Sequence, residues 1–503
     1  MSASSPPPVA ADDGPESAGL VRRALGFVLA PCVFAGLWLA PLELAAPAHR
    51  LAAILGAVVV LWISEALPMA MTAFLGVALA VVFGVAPAAE AFAPFADPLI
   101  FVFIGTFMIA RAIFVHGLDR RFAFAILALP GVGARPGRVL AAYALVGCLI
   151  SMWISNTATV AMLYPIGLAL LRVLERGGAQ PGWAAALLLA ASFSASVGGL
   201  ATPVGTPPNL IGLGFIRREL AVDVPFFSWM VLGVPISLVL LGVALLGLRR
   251  EAGAAAAAPG LAHELATVRS GLGPWTRGQA NALVAFAVTV ALWVLPGVVA
   301  LVAGQEHPWY RALQGAVPEG VAALLGAVLL FVLPTNLRRL EFTLSWDEAA
   351  RIEWWIVFLY GGGIALGTLA FRTGLAEAMG RGLTATLGVH SGLGLLLLAT
   401  ALATLLSETT SNTASANMVV PVVIAVARAA GADPLLPAIG ATLGASLGFM
   451  LPVSTPCNAI VYGSGRVPLA TMVRRGLLLD VAGVAVVVAV VATLGPLVLG
   501  TSR

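Results

Sequence analysis

Long apolar runs separated by short polar connections make up most of the chain. A membrane-spanning helix needs about 20 predominantly apolar residues, so the pattern predicts eleven spans. These lie near residues 24–40, 51–66, 68–86, 98–116, 183–215, 228–248, 280–302, 318–333, 354–371, 435–464 and 476–499. Two further apolar segments, 139–171 and 383–428, are each interrupted by a polar cluster and are predicted to be re-entrant hairpins.

Two of the eleven spans are predicted to be broken helices. The run 183–215 contains Thr206-Pro207-Pro208, and the run 435–464 contains Thr455-Pro456. Proline in a helix interior removes a hydrogen bond and clashes with the preceding turn. Backbone freed in this way is tolerated at membrane depth only where it packs in protein or lines a hydrated cavity. Each break is therefore predicted to border such a cavity.

The polar clusters of the two hairpins repeat each other. Segment 151–157 reads Ser-Met-Trp-Ile-Ser-Asn-Thr and segment 407–413 reads Ser-Glu-Thr-Thr-Ser-Asn-Thr, with Ser, Ser, Asn and Thr at identical spacing. A second phrase follows each cluster, Gly-Thr-Pro-Pro-Asn at 205–209 and Ser-Thr-Pro-Cys-Asn at 454–458. The chain is therefore predicted to consist of two related halves.

The repeat also sets the predicted domain boundaries. The halves are 21–250 and 280–503, joined by a cytoplasmic linker, 251–279. The tail 1–20 is rich in Ser, Pro, Ala and acidic residues and is predicted to be disordered. Arg22 and Arg23 before the first span place the N-terminus in the cytoplasm.

Counting crossings from a cytoplasmic N-terminus makes the first hairpin open inward and the second open outward. The two halves are then inverted repeats. This topology places eighteen arginines in cytoplasmic segments and eight outside, which is the bias expected of a multi-pass protein of the cell membrane.

Composition agrees with a membrane protein and narrows its function. Hydrophobic residues make up 60% of the 503 residues and charged residues 10%, far below the roughly 25% of an ordinary soluble domain. The chain contains no lysine, so it has no phosphate-binding loop of the kind that drives an ATP-dependent pump. Its five histidines have no metal-ligand spacing, and an enzyme is not predicted.

Neutral oxygens beside broken backbone are typical of sodium sites in transporters. The first hairpin and loop are predicted to supply one sodium site, and the second hairpin and loop its equivalent. The predicted ligands are Ser151, Ser155, Asn156 and the carbonyl of Gly205 in the first half, and Ser407, Thr410, Asn412 and the carbonyl of Ser454 in the second. Ser, Thr and Asn also join packed helices in membranes, but that role explains single polar residues better than paired motifs.

No Lys or Arg is predicted at either tip, so an anionic substrate must be held by hydroxyls, amides and helix N-termini. The predicted substrate-binding residues are Asn156, Thr157, Thr206, Asn412, Thr413, Thr455 and Pro456. Glu408 lies inside the second tip, and an ionisable group at membrane depth is either functional or a structural carboxylate bonded to nearby amides. The sequence leaves these two interpretations of Glu408 open.

These motifs resemble the divalent anion/sodium symporter family, the carriers of dicarboxylates, citrate and sulfate. The resemblance rests on both Ser-Asn-Thr motifs and on segment 446–461, which matches the C-terminal signature of the family. It extends from the first spans to the last helix. It implies a homodimer in which a scaffold domain stays fixed while a transport domain, carrying both tips, moves as an elevator and binds sodium and dicarboxylate.

The predicted function is therefore sodium-coupled uptake of a C4-dicarboxylate such as succinate, malate or fumarate. Sodium is expected as a co-transported ion, with no cofactor and no nucleic-acid partner. Within the same family, a sodium-independent dicarboxylate exchanger and a citrate or sulfate symporter remain as alternatives. A non-transporting intramembrane enzyme or a structural membrane protein is the remote alternative.

Overall fold

The computed structural model describes residues 15–133, 135–180, 182–253, 260–304, 307–389 and 391–500. These residues are helical nearly throughout, which confirms the prediction of an all-α polytopic membrane protein. One feature was not predicted: a small antiparallel hairpin of strands β1 (Pro334–Asn336) and β2 (Glu341–Phe342).

The helices are numbered in chain order. The first half contains α1 Pro15–Leu39, α2 Ala46–Ser64, α3 Met69–Val82, α4 Ala88–Phe92, α5 Pro98–Val115, α6 Leu118–Leu127, α7 Pro136–Ser151, α8 Asn156–Arg176, α9 Gly182–Gly199, α10 Pro207–Leu220 and α11 Phe226–Ala252, with a 3-10 turn, Ala93–Ala96, after α4. The rest of the chain contains α12 Leu261–Gly271, α13 Arg277–Ala303, α14 Pro308–Ala316, α15 Glu319–Val332, α16 Trp346–Ala349, α17 Trp354–Arg372, α18 Leu375–Leu387, α19 Gly392–Thr409, α20 Asn412–Ala429, α21 Leu435–Gly444, α22 Pro456–Tyr462 and α23 Leu469–Leu499.

Both predicted hairpins and both predicted breaks are present. The first hairpin is α7 and α8, and the second is α19 and α20. The first broken helix is α9 and α10, interrupted at 200–206, and the second is α21 and α22, interrupted at 445–455. The breaks therefore coincide with the two Thr-Pro phrases.

Eleven helices of the described residues are long and apolar enough to cross a membrane, but they are not the eleven predicted runs. The hairpin helices α8, α19 and α20 qualify by length and composition. By contrast, α3, α15 and α21, which lie in three of the predicted runs, are apolar but contain only 10–17 residues. The number agrees with the prediction because these two differences compensate.

The predicted boundaries of the tail, the second hairpin and the linker differ from the structure. Helix α1 begins at Pro15, so residues 15–20 of the predicted disordered tail are helical, while 1–14 lie outside the described residues. The second hairpin begins at Gly392 rather than 383, because α18 is a separate helix that ends at Gly388 in a left-handed conformation (φ 62°). The linker contains α12, and its residues 254–259 lie outside the described residues.

The order of elements and their contacts repeat between the halves. Helix α3 packs on α17, as α15 packs on α5. Helix α7 packs on α9, as α19 packs on α21. Each half-helix after a break also contacts the hairpin of the other half, α10 on α20 and α22 on α8. These reciprocal contacts bring both breaks and both hairpin tips to one place, and they agree with the predicted repeat.

Candidate functional site

A cavity of about 880 Å³ lies where the two hairpin tips and the two Thr-Pro loops meet. Its wall contains most of the predicted site residues. They are Ser155, Asn156, Thr157, Thr206, Asn412, Thr413, Ser454, Thr455 and Pro456. Segments separated by more than 250 residues thus contribute equivalent side chains to a single cavity.

Each hairpin tip is the N-terminus of a helix that is capped by a serine of the tip. Ser155 precedes α8 and accepts a hydrogen bond from the Ala158 amide at 3.4 Å, and Ser411 precedes α20 and accepts one from the Ala414 amide at 3.2 Å. A serine at this position satisfies one of the free amides of the first turn. The remaining free amides and the helix dipole give each tip a positive potential that suits an anion.

Beneath the tips, two serine–asparagine contacts have the same geometry. The Ser151 hydroxyl donates to Asn156 Oδ1 at 2.6 Å, and the Ser407 hydroxyl donates to Asn412 Oδ1 at 2.7 Å. The Ser407 hydroxyl also lies 2.8 Å from the Ala445 carbonyl. A hydroxyl that donates its proton keeps lone pairs, so these oxygens remain able to coordinate a cation.

Four predicted sodium ligands lie below the cavity rather than on its wall. Ser151, Gly205, Ser407 and Thr410 are all buried. Thr410 is the residue that follows the end of α19, and its hydroxyl donates to the Leu406 carbonyl at 2.8 Å. The structure therefore separates the predicted residues into a buried layer and a layer that faces the cavity.

Two asparagines for which the sequence predicted no role stabilise the loops through hydrogen bonds. Asn209 Nδ2 donates to the carbonyls of Gly199 (2.9 Å) and Thr202 (2.8 Å). Asn458 Nδ2 donates to the equivalent carbonyls of Gly448 (3.1 Å) and Leu451 (3.0 Å). Both asparagines are fully buried. The signal available in the sequence was their position as the last residue of each repeated phrase.

Gly199 and Gly448 also lie directly against the tips. A Cβ atom on Gly199 would lie 2.6 Å from Asn156 Oδ1, and one on Gly448 would lie 3.2 Å from Asn412 Oδ1 and from Ser407 Oγ. A Cβ on Gly205 would lie 2.6 Å from the Gly199 carbonyl oxygen. Separations under 3.0 Å are not available to real Cβ atoms. Glycine is therefore required at 199 and 205 by the approach of neighbouring polar groups.

Glu408 joins the second hairpin to the second loop. Its Oε1 accepts from the Met450 amide at 2.8 Å and its Oε2 from the Leu451 amide at 3.0 Å, and the side chain is buried. At the equivalent place in the first half, the Thr202 hydroxyl donates to the Met152 carbonyl at 2.5 Å. In each half, a hydrogen bond therefore joins the hairpin to the loop. The acceptor is the Glu408 carboxylate in the second half and the Met152 main-chain carbonyl in the first. This geometry favours the structural interpretation of Glu408.

Charged side chains also contribute to the cavity wall. Arg22 and Arg23 of α1 contribute to its wall, together with Glu65 and Glu353. Arg22 Nη2 donates to Glu65 Oε2 at 2.5 Å, so these two charges compensate each other. Among the described residues, no cluster of three or more His, Cys, Asp or Glu side chains offers a transition-metal site.

The chain is similar to a known family of membrane transporters. A family model described as the sodium:sulfate symporter transmembrane region matches residues 22–500. The chain is 32% identical over 457 residues to the sodium-dependent dicarboxylate transporter SdcS of Staphylococcus saprophyticus, covering 87% of this chain and 84% of that protein. It is 29% identical to SdcS of Staphylococcus aureus strain USA300, covering 97% and 93%.

A solved structure shares the fold. The crystal structure of the YdaH transporter of Alcanivorax borkumensis, described as having an unusual topology, aligns with a TM-score of 0.56. The alignment covers 96% of this chain and 98% of that chain at 17% sequence identity. At this level of identity the likeness concerns the fold alone.

Proposed function

The chain belongs to the sodium:sulfate symporter family, the divalent anion/sodium symporters, and on this premise we propose that it couples the uptake of C4-dicarboxylates to sodium. Membership makes the chain a multi-pass membrane transporter rather than an enzyme. The printed names of its relatives, sodium-dependent dicarboxylate transporters, support both the ion and the substrate class of the proposal.

One observation carries the proposal: both tips and both Thr-Pro loops meet in a single cavity. The hydroxyl, amide and carbonyl oxygens proposed to coordinate sodium come from two places. The buried layer contributes Ser151, Gly205, Ser407 and Thr410, and the cavity wall contributes Ser155, Asn156, Asn412 and Ser454. The cavity layer would bind the dianion through Asn156, Thr157, Thr206, Asn412, Thr413, Thr455 and the start of α22 at Pro456. Two donor-rich tips suit a substrate with two carboxylates.

The packing also suits an elevator-type movement. The hairpins and broken helices contact one another across the two halves. Helix α3 packs on α17 and α5 on α15, and α17 also contacts α10 and α20, where the two groups of helices meet. We propose that α7–α11 and α19–α23 move together relative to a scaffold of α1–α5 and α13–α17. A homodimer joined through the scaffold, located in the cell membrane with a cytoplasmic N-terminus, completes the proposal.

Uptake into proteoliposomes tests this function. Purified protein should accumulate labelled succinate under an inward sodium gradient and not under an equal gradient of choline. Accumulation without sodium, together with counterflow against internal succinate, would contradict sodium coupling and identify an exchanger. Competition by unlabelled malate and fumarate, but not by citrate or sulfate, is expected of a C4-dicarboxylate carrier.

Substitutions at the second tip should separate the cation layer from the substrate layer. Thr413 faces the cavity, and removing a hydrogen bond to a charged group costs roughly 1.5–3 kcal/mol, which is about a ten- to hundredfold loss of affinity. Thr413→Val should therefore raise the half-saturating succinate concentration by that factor while sodium binding, measured without substrate, stays nearly unchanged.

Ser407→Ala is the matched variant in the buried layer. It should weaken sodium binding first and succinate binding only through linkage, because coupling between two sites is reciprocal. An equal loss of sodium affinity in Thr413→Val and Ser407→Ala would show that the two layers are not divided as proposed.

A further inference from the structure

Glu353 is a carboxylate on the wall of the anion cavity that the proposed binding mechanism does not use. It immediately precedes α17, on the proposed scaffold, and lines the cavity together with Asn412 and Thr413. Cys457, next to Pro456 at the start of α22, lines the same cavity. An acidic side chain therefore faces the place where the structure gathers hydroxyls and helix N-termini suited to an anion.

The comparison with the first half shows that this side chain is not needed to cap its helix. Asp97 holds the corresponding position before α5, where its Oδ1 accepts from the Leu99 amide at 2.9 Å and from the Tyr360 hydroxyl at 3.1 Å. Glu353 makes no such capping bond. Within the described residues, no hydrogen-bond donor and no cation pairs with its carboxylate.

The charged groups around Glu353 are engaged elsewhere or lie at the cavity edge. Arg22 of α1 pairs with Glu65, and Arg351, close in sequence, pairs with Glu348 at 3.2 Å. Arg23 of α1 and, from α22, Cys457 and Tyr462 are the other ionisable groups of the cavity wall. Burial without a compensating partner raises the pKa of the Glu353 carboxyl above its ordinary value.

We propose that Glu353 is a specificity-determining residue that makes anion binding depend on a proton. In its neutral form the carboxyl does not oppose the bound dianion. In its ionised form it repels the dianion across a desolvated cavity, and it repels a trianion more strongly. The inference deepens the proposed function, on which it rests, by adding proton-dependent affinity and selection against substrates of higher charge.

The expected pH dependence follows from the raised pKa of Glu353. Because the pKa of Glu353 is raised, a larger share of its carboxyl is neutral at mildly acidic pH than for a free glutamate. Raising the pH ionises it beside the substrate, so affinity should fall as the pH rises. Fumarate is the suitable probe because it stays a dianion throughout this range, so its own titration does not contribute.

The experiment is equilibrium binding of labelled fumarate to purified full-length protein in saturating sodium, from the lowest pH at which fumarate remains a dianion to mildly alkaline pH. The wild type should bind more weakly as the pH rises. Glu353→Gln should bind with little pH dependence. At the alkaline end it should bind on the order of a hundredfold more tightly than the wild type, as expected for a carboxylate roughly 10 Å from both charges of a dianion at an effective dielectric constant of about 20. Glu353→Asp, which restores a carboxyl, should restore the pH dependence.

Glu341→Gln provides the matched control, because Glu341 is an exposed carboxylate of β2 outside the cavity. It should keep the wild-type pH profile. Wild-type fumarate affinity that does not change with pH, or a Glu353→Gln variant with the wild-type profile, would overturn the inference while leaving the proposed function intact. Absence of sodium-dependent binding by the wild type at every pH would instead overturn the proposed function. If Glu353→Gln fails to fold, Glu353→Ala, which also removes the carboxyl, replaces it in the comparison.

Discussion

Asn458→Ala is expected to abolish sodium-dependent uptake. The Asn458 side-chain amide donates to the carbonyls of Gly448 and Leu451 and lies 3.1 Å from Ser454 Oγ, all in the loop that forms one side of the site. Its removal leaves these buried carbonyls with Ser454 as their remaining donor and takes away the Asn458 Oδ1 acceptor of the Ser192 hydroxyl, and each lost hydrogen bond costs about 0.5–1.5 kcal/mol. Uptake by proteoliposomes should therefore fall more than about a hundredfold. Asn209→Ala should have the same effect through the first loop.

Asn281→Ala is the control for this prediction. Asn281 Nδ2 donates to the Pro334 carbonyl at 3.2 Å and to Thr343 Oγ1 at 2.9 Å, so the substitution also removes two hydrogen bonds, but away from the cavity. It should lower thermal stability with little effect on succinate affinity. Near-normal uptake by a folded Asn458→Ala protein would show that the loop does not depend on the hydrogen bonds of the Asn458 side chain.

Gly199→Ala is expected to eliminate sodium binding at the first site. The added Cβ would lie 2.6 Å from Asn156 Oδ1, which also accepts the hydrogen bond from Ser151. The asparagine must then move, and the proposed ligands of the first site move with it. Gly448→Ala places its Cβ at 3.2 Å from Asn412 Oδ1, so a smaller displacement and a smaller loss of sodium affinity are expected there.

Gly242→Ala is the matched control, since a Cβ at this position of α11 would meet nothing within 4 Å. The measurement is the sodium concentration that half-saturates succinate uptake at fixed succinate. It should rise strongly in Gly199→Ala, moderately in Gly448→Ala and not at all in Gly242→Ala. The reverse order of Gly199→Ala and Gly448→Ala would contradict the role assigned to the close approach.

The features that the sequence predicted correctly are those that hydrophobicity and repetition determine. Apolar runs identify helices in a membrane because the bilayer leaves few alternatives. The paired phrases placed both hairpin tips and both breaks, and the structure brings Asn156, Asn412, Thr206 and Thr455 to one cavity as the repeat indicated. A single tip would not have distinguished a binding site from helix packing.

The features that the sequence did not determine depend on tertiary contacts. Glu408 and Met152 occupy equivalent positions and look unrelated, yet both hold a hairpin to its loop, one through a side chain and the other through a main-chain carbonyl. The separation of α18 from the second hairpin rests on the left-handed turn at Gly388, which apolar periodicity does not report. Helix α1 begins at Pro15, inside a polar segment, and apolar periodicity does not indicate that a helix extends that far.

The most direct test of the account is equilibrium binding of labelled succinate to the purified protein as a function of sodium concentration, with choline maintaining the ionic strength. The two proposed cation sites beneath the proposed substrate cavity predict that succinate affinity rises with more than the first power of the sodium concentration, and that Ser151→Ala and Ser407→Ala each reduce that dependence. Succinate affinity that is the same in sodium and in choline would contradict the central claim.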